Sequence, residues 1–227
     1  MKRDKLLFLL RILKSGDAGG LFSLIKFRIY SEELCLGLSK TINTEENFAS
    51  NSNICTTENL PPEKLFFIIR MAQKLGDDNG YFERRKRLIR HEIGRCYVSF
   101  IDSVPCHFQW VFDSKDNDKL ISYFKGEYPR LNESEAILEH ALTLALYRGK
   151  GIHKAARQKI METERKENGI KRFISFINPL NKPSMKTAVG QGFVPFLIRR
   201  EKWFLFRQRF VFEKFSEDRL RMLTKKS

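Results

Sequence analysis

The stretch LYRGKGIHKAARQKI, residues 146–160, constrains the fold more than any other part of the chain. An apolar run, EAILEHALTLALY, leads into Arg148-Gly149-Lys150-Gly151, and a helical pattern follows from Ile152. Periodicity alone leaves the apolar run open between helix and strand. The glycine turn behind it argues for strand, turn, helix. A helix start leaves several backbone N–H groups without partners and carries partial positive charge. Glycines let the main chain come close to a ligand, and Arg148 and Lys150 add charge around it. A diphosphate fits such a place. The pattern is neither GxxxxGKS/T nor GxGxxG, so it is not a P-loop or a dinucleotide fingerprint. A plain tight turn is the competing reading.

The rest of the chain reads as follows. Residues 1–40 look helical, with Leu6, Leu7, Leu10 and Leu13 on one face and breaks at Gly16, Gly19 and Gly20. Residues 41–60 are polar and rich in Asn, Thr and Ser, as in a linker or long loop. Pro61 and Pro62 open a helix that Gly76 closes. A second helix, GYFERRKRLIRHEIG, carries Arg84, Arg85, Lys86, Arg87 and Arg90, read as a solvated face, with an anion-binding face as the alternative. RCYVSFIDSVPCHFQWVF reads as a hairpin turning at Asp102-Ser103-Val104-Pro105, and LISYF as a third strand. IKRFISFI is a strand, and NPLNKPSMKTAVGQGF is a loop and short helix with a glycine stop. VPFLIRR and KWFLFRQRFVFEKF are two strand-like runs around Glu201. This order predicts an α/β (α+β) sheet with one crossover helix.

ALTLALYRGKGIHKAARQKI, followed by IKRFISFINPLNKPSMKTAVGQGFVPF, resembles the GNAT superfamily of acyl-CoA-dependent N-acyltransferases. The family turn carries Gln or Arg, then two residues, Gly, one residue, and Gly or Ala. Arg148-Gly149-Lys150-Gly151-Ile152 lies on that turn. The second mark is an Asn, a Ser three residues on, and a Gly-Phe pair, matched by Asn181, Ser184 and Gly192-Phe193. The hairpin is similar to the family's second and third strands. The resemblance covers roughly residues 60–213 and implies a mixed, mostly antiparallel central sheet flanked by helices. Residues 61–227 would form the acyltransferase domain, and residues 1–60 a helical extension and polar linker.

By that resemblance, amides from Arg148 through Gly149, Lys150, Gly151 and Ile152 to His153 hold the coenzyme A diphosphate. The strand edge at Leu142, Thr143 and Leu144 pairs with the pantetheine arm. The amide near Thr143 donates to the thioester oxygen. Asn181 and Ser184 approach the far end of the cosubstrate or order the loop beside it. The chemistry needs a neutral amine, a base for its proton and a preorganised donor for the oxyanion. Glu139 and His140 lie upstream on the same strand, and alternation sends their side chains to opposite faces. One of them faces the acceptor cleft, with Glu139 preferred as base or orienting group. Their competing readings are a satisfied carboxylate and a packed imidazole. The chain departs from the family pattern at Ala188, where many members carry a Tyr as general acid. Tyr147 sits at the turn and is a poor substitute. The thiolate then leaves unassisted, or another group protonates it.

Charge and cysteine content bound the partners. Lys+Arg is 42 against 27 Asp+Glu, a formal charge of +15, which attracts polyanions and phosphate-bearing substrates. Cys35, Cys55, Cys96 and Cys106 form no CxxC pair and have no His at zinc spacing, so free thiols in a reducing compartment and no metal are expected. The start, MKRDKLLFLLRILKSG, has a basic, apolar signal-peptide flavour, but Arg11 interrupts it and no small-residue cleavage site follows. A packed amphipathic helix and a basic helix on a membrane surface, through residues 1–30, both fit. The expectation is a cytoplasmic enzyme moving an acetyl or other acyl group from acyl-CoA to a primary amine, such as an amino sugar. Nucleic acid is the less favoured partner, the alternative being a basic polyanion-binding module on the same scaffold. Oligomeric state, acceptor and acyl length stay open.

Overall fold

The computed structural model of the chain describes residues 18–42, 54–75 and 79–218. Helix α1 spans Ala18–Ile29 and strand β1 Tyr30–Thr41. Strand β2 is Thr56–Asn59, helix α2 Pro62–Lys74 and helix α3 Asn79–Arg90. Strands β3 (Arg95–Ile101) and β4 (Val104–Asp113) follow, then α4 (Asn117–Phe124), β5 (Glu135–Thr143) and α5 (Ile152–Asn168). Strand β6 (Arg172–Ile177), helix α6 (Lys182–Gly190) and strands β7 (Val194–Phe204) and β8 (Arg207–Lys214) complete the series.

The chain divides into two compact units, Leu36–Phe196 and Met1–Cys35 with Leu197–Ser227. In the first, strands run in the order β2-β3-β4-β5-β6-β1. Neighbours are antiparallel except β5 and β6, which are parallel and joined by α5. Such a connection needs a crossover, and α5 supplies it. Nine of the ten residues of β4 are buried, as a central strand covered on both faces requires. The core gathers Phe82, Phe108, Trp110, Phe112, Phe173 and Phe193.

A buried charge network fastens α5 to the hairpin. Glu164, with no exposed surface, accepts from Arg95 Nε at 2.9 Å and Nη2 at 2.8 Å, and from the Tyr97 hydroxyl at 2.9 Å. Arg95 Nη1 also donates to Asp113 at 2.9 Å. Burial raises the Tyr97 phenol, and the Glu164 charge raises it further, so it stays a donor.

In the second unit, β7 and β8 form a hairpin from Leu197↔Lys214 to Phe204↔Arg207. Its two turn residues, Leu205 and Phe206, have φ of 46° and 64° and donate to the carbonyls of Ile29 and Arg28. Trp203 lies under the Arg28 guanidinium at 3.6 Å and beside Phe27.

Several elements differ from the sequence expectation. Residues 30–40 are strand, not helix, because Leu36–Thr41 fill the open side of β6 in antiparallel register. The Leu6–Leu13 face and the Gly76 stop lie outside the described residues. Residues 56–59 leave the expected loop and pair with β3. LISYF is helix α4: Asp113 and Asp116 form a capping box that turns the chain, and the buried or half-buried positions Leu120, Tyr123 and Phe124 follow helical spacing. Strand β7 passes unbroken through Glu201, and the hairpin turns at Leu205–Phe206 instead.

Candidate functional site

The site grows from the point where β5 and β6 part. Their ladder holds from Glu135↔Arg172 to Ile137↔Ile174 and then ends. Side chains bridge the next two steps. Ser175 Oγ donates to the Leu138 carbonyl at 2.9 Å, and the Phe176 amide donates to Glu139 Oε1 at 2.8 Å. Beyond them the strands diverge around a cavity of about 230 Å³, lined by Glu139, Gln109, His153, Arg157, Asn181 and Ser184 among others.

A bulge bends β5 at the same place. Trp110 faces Glu139 and Phe108 faces Leu142, so three steps of β5 lie against two of β4. His140 takes up the extra residue with φ of 55°. The simple alternation of Glu139 and His140 across a flat strand is therefore lost, and both border the cavity. The Tyr81 hydroxyl donates to the His140 carbonyl, and Arg85 Nη2 meets His140 Nδ1 at 2.8 Å. Guanidinium only donates, so Nδ1 accepts and the neutral ring carries its proton on Nε2. Phe112 and Phe124 pack against the ring. Arg84, Arg87 and Arg90 keep the solvated character read from the sequence, but half-buried Arg85 turns inward and also covers the Tyr81 ring.

The C-terminal end of β5 separates two kinds of main chain. The Leu144 amide donates to the Cys106 carbonyl at 3.0 Å, and His107 faces Thr143. In an antiparallel ladder this makes Leu144 and Leu142 hydrogen-bonded partners of β4, while the Thr143 N–H and C=O point away from it, to the open edge. Of the three expected edge residues, Thr143 therefore presents its backbone to the split, and Leu142 and Leu144 spend theirs on β4. Arg148 Nε already donates to the Thr143 carbonyl at 3.0 Å. The Thr143 hydroxyl meets His107 Nδ1 at 2.9 Å.

The turn into α5 has the shape its sequence predicts. Gly149 and Gly151 have φ of 77° and 76°, in the left-handed region that only glycine adopts freely. Gly151 is the N-cap and no side chain caps the helix, so the first-turn amides from Ile152 have no partner within the helix. A Cβ on Gly149 would meet nothing within 4 Å, and one on Gly151 only Ile54 Cδ1 at 3.9 Å. The space at both Cβ positions is open. Lys150 Nζ rests over the Tyr147 ring at 5.4 Å. At the other wall, Asn181 caps α6 by accepting from the Ser184 amide at 3.2 Å. Ala188 is fully buried in α6, so no hydroxyl stands at that position.

Sequence reasoning missed the polar layer beneath α5. His107 and Gln109 stand two apart on β4, and His153 and Arg157 four apart on α5. All but His153 are at most 2% exposed, and the rings of His107 and His153 stack at 5.3 Å. Burial, then the Arg157 charge, lowers the His107 imidazole to about 3. His153 shifts the same way for the same causes. Both rings are neutral near pH 7. The available signal was the polar pair His107-x-Gln109 inside an apolar strand, and two polar residues next to the buried Ile152, Ala156, Ile160 stripe of α5.

No family model and no curated protein matches the sequence. Solved structures do match in fold. One is the GCN5-related glucosamine N-acetyltransferase region of a fungal multi-domain GH3 β-N-acetylglucosaminidase, at 11% identity over 83% of this chain and 23% of that one, with a TM-score of 0.56. Another is a conserved protein of unknown function from Staphylococcus epidermidis ATCC 12228, at 8% identity over 80% of this chain and 65% of that one, TM-score 0.55. A GNAT-family acetyltransferase from Colwellia psychrerythraea aligns at 14% identity over 87% of this chain and 62% of that one, TM-score 0.48. The chain thus spans less than two thirds of the length of these matches. A parallel pair of strands that splits beside a bulge, an uncapped glycine-led helix between them and the likeness in fold to the fungal region agree: the chain has the GNAT superfamily fold.

Proposed function

We propose that the protein transfers an acyl group from acyl-CoA to a primary amine. The observation that carries this is the uncapped, glycine-led start of α5 at the mouth of the β5–β6 split. The Arg148 N–H already donates to the Ala145 carbonyl at 3.3 Å, and the amides from Gly149 to His153, with the Arg148 and Lys150 side chains, suit the diphosphate of coenzyme A. The outward backbone of Thr143 suits the pantetheine arm and the thioester oxygen, where a fixed N–H stabilises developing negative charge. No group of three or more metal-ligating side chains occurs among the described residues.

Glu139 is the base we favour. Its carboxylate borders the cavity and its orientation is fixed by the Phe176 amide. The neutral amine requires only a nearby acceptor, direct or through one water. His140 is held by Arg85 and Tyr81 and serves to orient the bulge. With Ala188 in place of a phenol, the thiolate leaves without a dedicated acid, which a thiol pKa of about 8.5 permits. An amino sugar is the first acceptor to test, since the fungal region of similar fold is named a glucosamine N-acetyltransferase.

No helix among the described residues is long and apolar enough to cross a membrane. Exposed Phe22, Ile25 and Ile29 with Lys26 on α1, and exposed Leu205 and Phe206 in the adjoining turn, support peripheral contact with an anionic lipid surface in the cytoplasm. Vesicle sedimentation with and without anionic lipid checks this.

The activity is tested by free-thiol release from acetyl-CoA with a panel of amines. Amine-dependent release, with coenzyme A bound in preference to heparin or free diphosphate, supports the proposal. Equal retention of any polyanion and no release would favour the polyanion-binding module.

A further inference from the structure

We propose that the cavity in the β5–β6 split accepts a substrate that carries a carboxylate, with Arg157 as its counter-charge. The inference rests on the acyltransferase reading and names the substrate class that site would select. Arg157 is 2% exposed, lines the cavity, and leaves Nε and Nη1 without a hydrogen bond. It forms no ion pair among the described residues; its one aromatic contact is the Phe193 ring at 5.4 Å. Glu139 is the acid whose charge acts on it, yet the Glu139 Oε1 is taken by the Phe176 amide. A buried guanidinium without a hydrogen-bonded anion is unfavourable, and removing it from water is repaid only by a well-placed partner. Burial lowers it to about 10, with Glu139 acting the other way, so it remains a cation at neutral pH.

Its neighbours point the same way. The Gln109 side-chain nitrogen and oxygen and His153 Nε2 are buried and have no partner in hydrogen-bond geometry. Both residues line the same cavity. The planar guanidinium fork matches a carboxylate, which accepts two parallel N–H bonds, and the Gln109 amide supplies a further donor. The phosphates of coenzyme A belong elsewhere, at the α5 turn. What enters between Glu139 and Arg157 is the acyl chain or the amine acceptor. Either can bring the carboxylate: an acyl group ending in one, such as succinyl, or an acceptor such as an amino acid or amino uronic acid.

Two arms separate these sources. In the donor arm, free-thiol release with succinyl-CoA is compared with n-butyryl-CoA. In the acceptor arm, glycine is compared with glycinamide, and glucosamine with its uronic acid. The expected result is a kcat/KM preference for the carboxylate form of about tenfold or more in one arm, corresponding to about 1.4 kcal/mol. Arg157→Met should erase that preference mainly through KM, and Arg157→Lys should retain part of it. A binding readout independent of turnover accompanies both: calorimetric titration of succinate or glycine against succinamide or glycinamide, in wild type and Arg157→Lys. Equal treatment of the charged and neutral partners in both arms and in binding overturns the inference. Coenzyme A titrated in parallel keeps the two readings apart. Loss of coenzyme A binding would defeat the acyltransferase reading, while coenzyme A binding and transfer without carboxylate preference would defeat only this one.

Discussion

The carboxylate of Glu139 on β5 accepts the main-chain N–H of Phe176 on β6 at 2.8 Å, two steps after the ladder between those strands has ended. A side chain here takes over the work of a backbone carbonyl, and so holds the split open at a defined width. The same carboxylate borders the cavity where an amine would stand. Its two roles separate in a Glu139→Gln variant, whose amide oxygen still accepts from Phe176. We expect unchanged folding and coenzyme A binding, with kcat lowered by about 10²–10⁴, the range for loss of a general base. Thermal melting and single-turnover thiol release check it; a rate near wild type would remove Glu139 from the chemistry.

Acid stability should depend on the buried imidazoles. His107 sits near 3 in the folded state against an ordinary 6.5. Above pH 6.5 both folded and unfolded chains carry it neutral, and its full contribution is present. As pH falls from 6.5 toward 3, the unfolded chain takes up the proton and the folded one does not, so stability declines. The slope is about 1.4 kcal/mol per pH unit for one such group. Urea denaturation between pH 7 and pH 4 should show a shallower decline in His107→Gln than in wild type. Parallel slopes would contradict the assignment.

Glu164 anchors α5, and with it the turn that begins the helix. Glu164→Ala leaves Arg95 without its bidentate acceptor and the Tyr97 hydroxyl without a partner. Breaking a buried ion pair from one side costs about 3–5 kcal/mol. At about 2–4 °C per kcal/mol for a chain of this size, the melting temperature should drop by roughly 6–20 °C. A drop of a degree or two would mean that the network contributes little.

Gly94 has a different kind of necessity. At φ of 69° a Cβ would stand 2.3 Å from Phe112 Cδ1 and 2.6 Å from the Val111 carbonyl oxygen. Strain and overpacking together predict a loss of about 2–5 kcal/mol for Gly94→Ala. Chemical denaturation measures it, and a neutral substitution would contradict the packing described.

Much of this was legible in the chain. The glycine turn, the crossover helix behind it and the strand IKRFISFI follow from local rules, because Gly149, Gly151 and Gly169 sit where left-handed backbone is needed. The first strand was not legible. YSEELCLGLSKT reads as a continuation of α1, and it becomes strand because β6 offers an unpaired edge more than 130 residues later in the chain. Tertiary pairing overrides local preference in such a case. The bulge at His140 also escaped detection, since nothing in EAILEHALT marks one residue as extra; only the register against Trp110 and Phe108 does. Arg157 was hidden for the opposite reason. In HKAARQKIMETERKEN it is one cation among several, and its burial depends on what β4 places under the helix.

The most direct test of the central claim, that uncapped amides at the start of α5 grip the coenzyme A diphosphate, is calorimetric titration of coenzyme A into three proteins. These are wild type, Gly151→Val and Gly169→Val. Gly169 caps the other end of the same helix at φ of 68° with open space around it, so both substitutions bring similar backbone strain. The account predicts that wild type and Gly169→Val bind alike, while Gly151→Val binds at least about tenfold more weakly, a loss of about 1.4 kcal/mol or more. Equal weakening in both variants, or none in Gly151→Val, would contradict it.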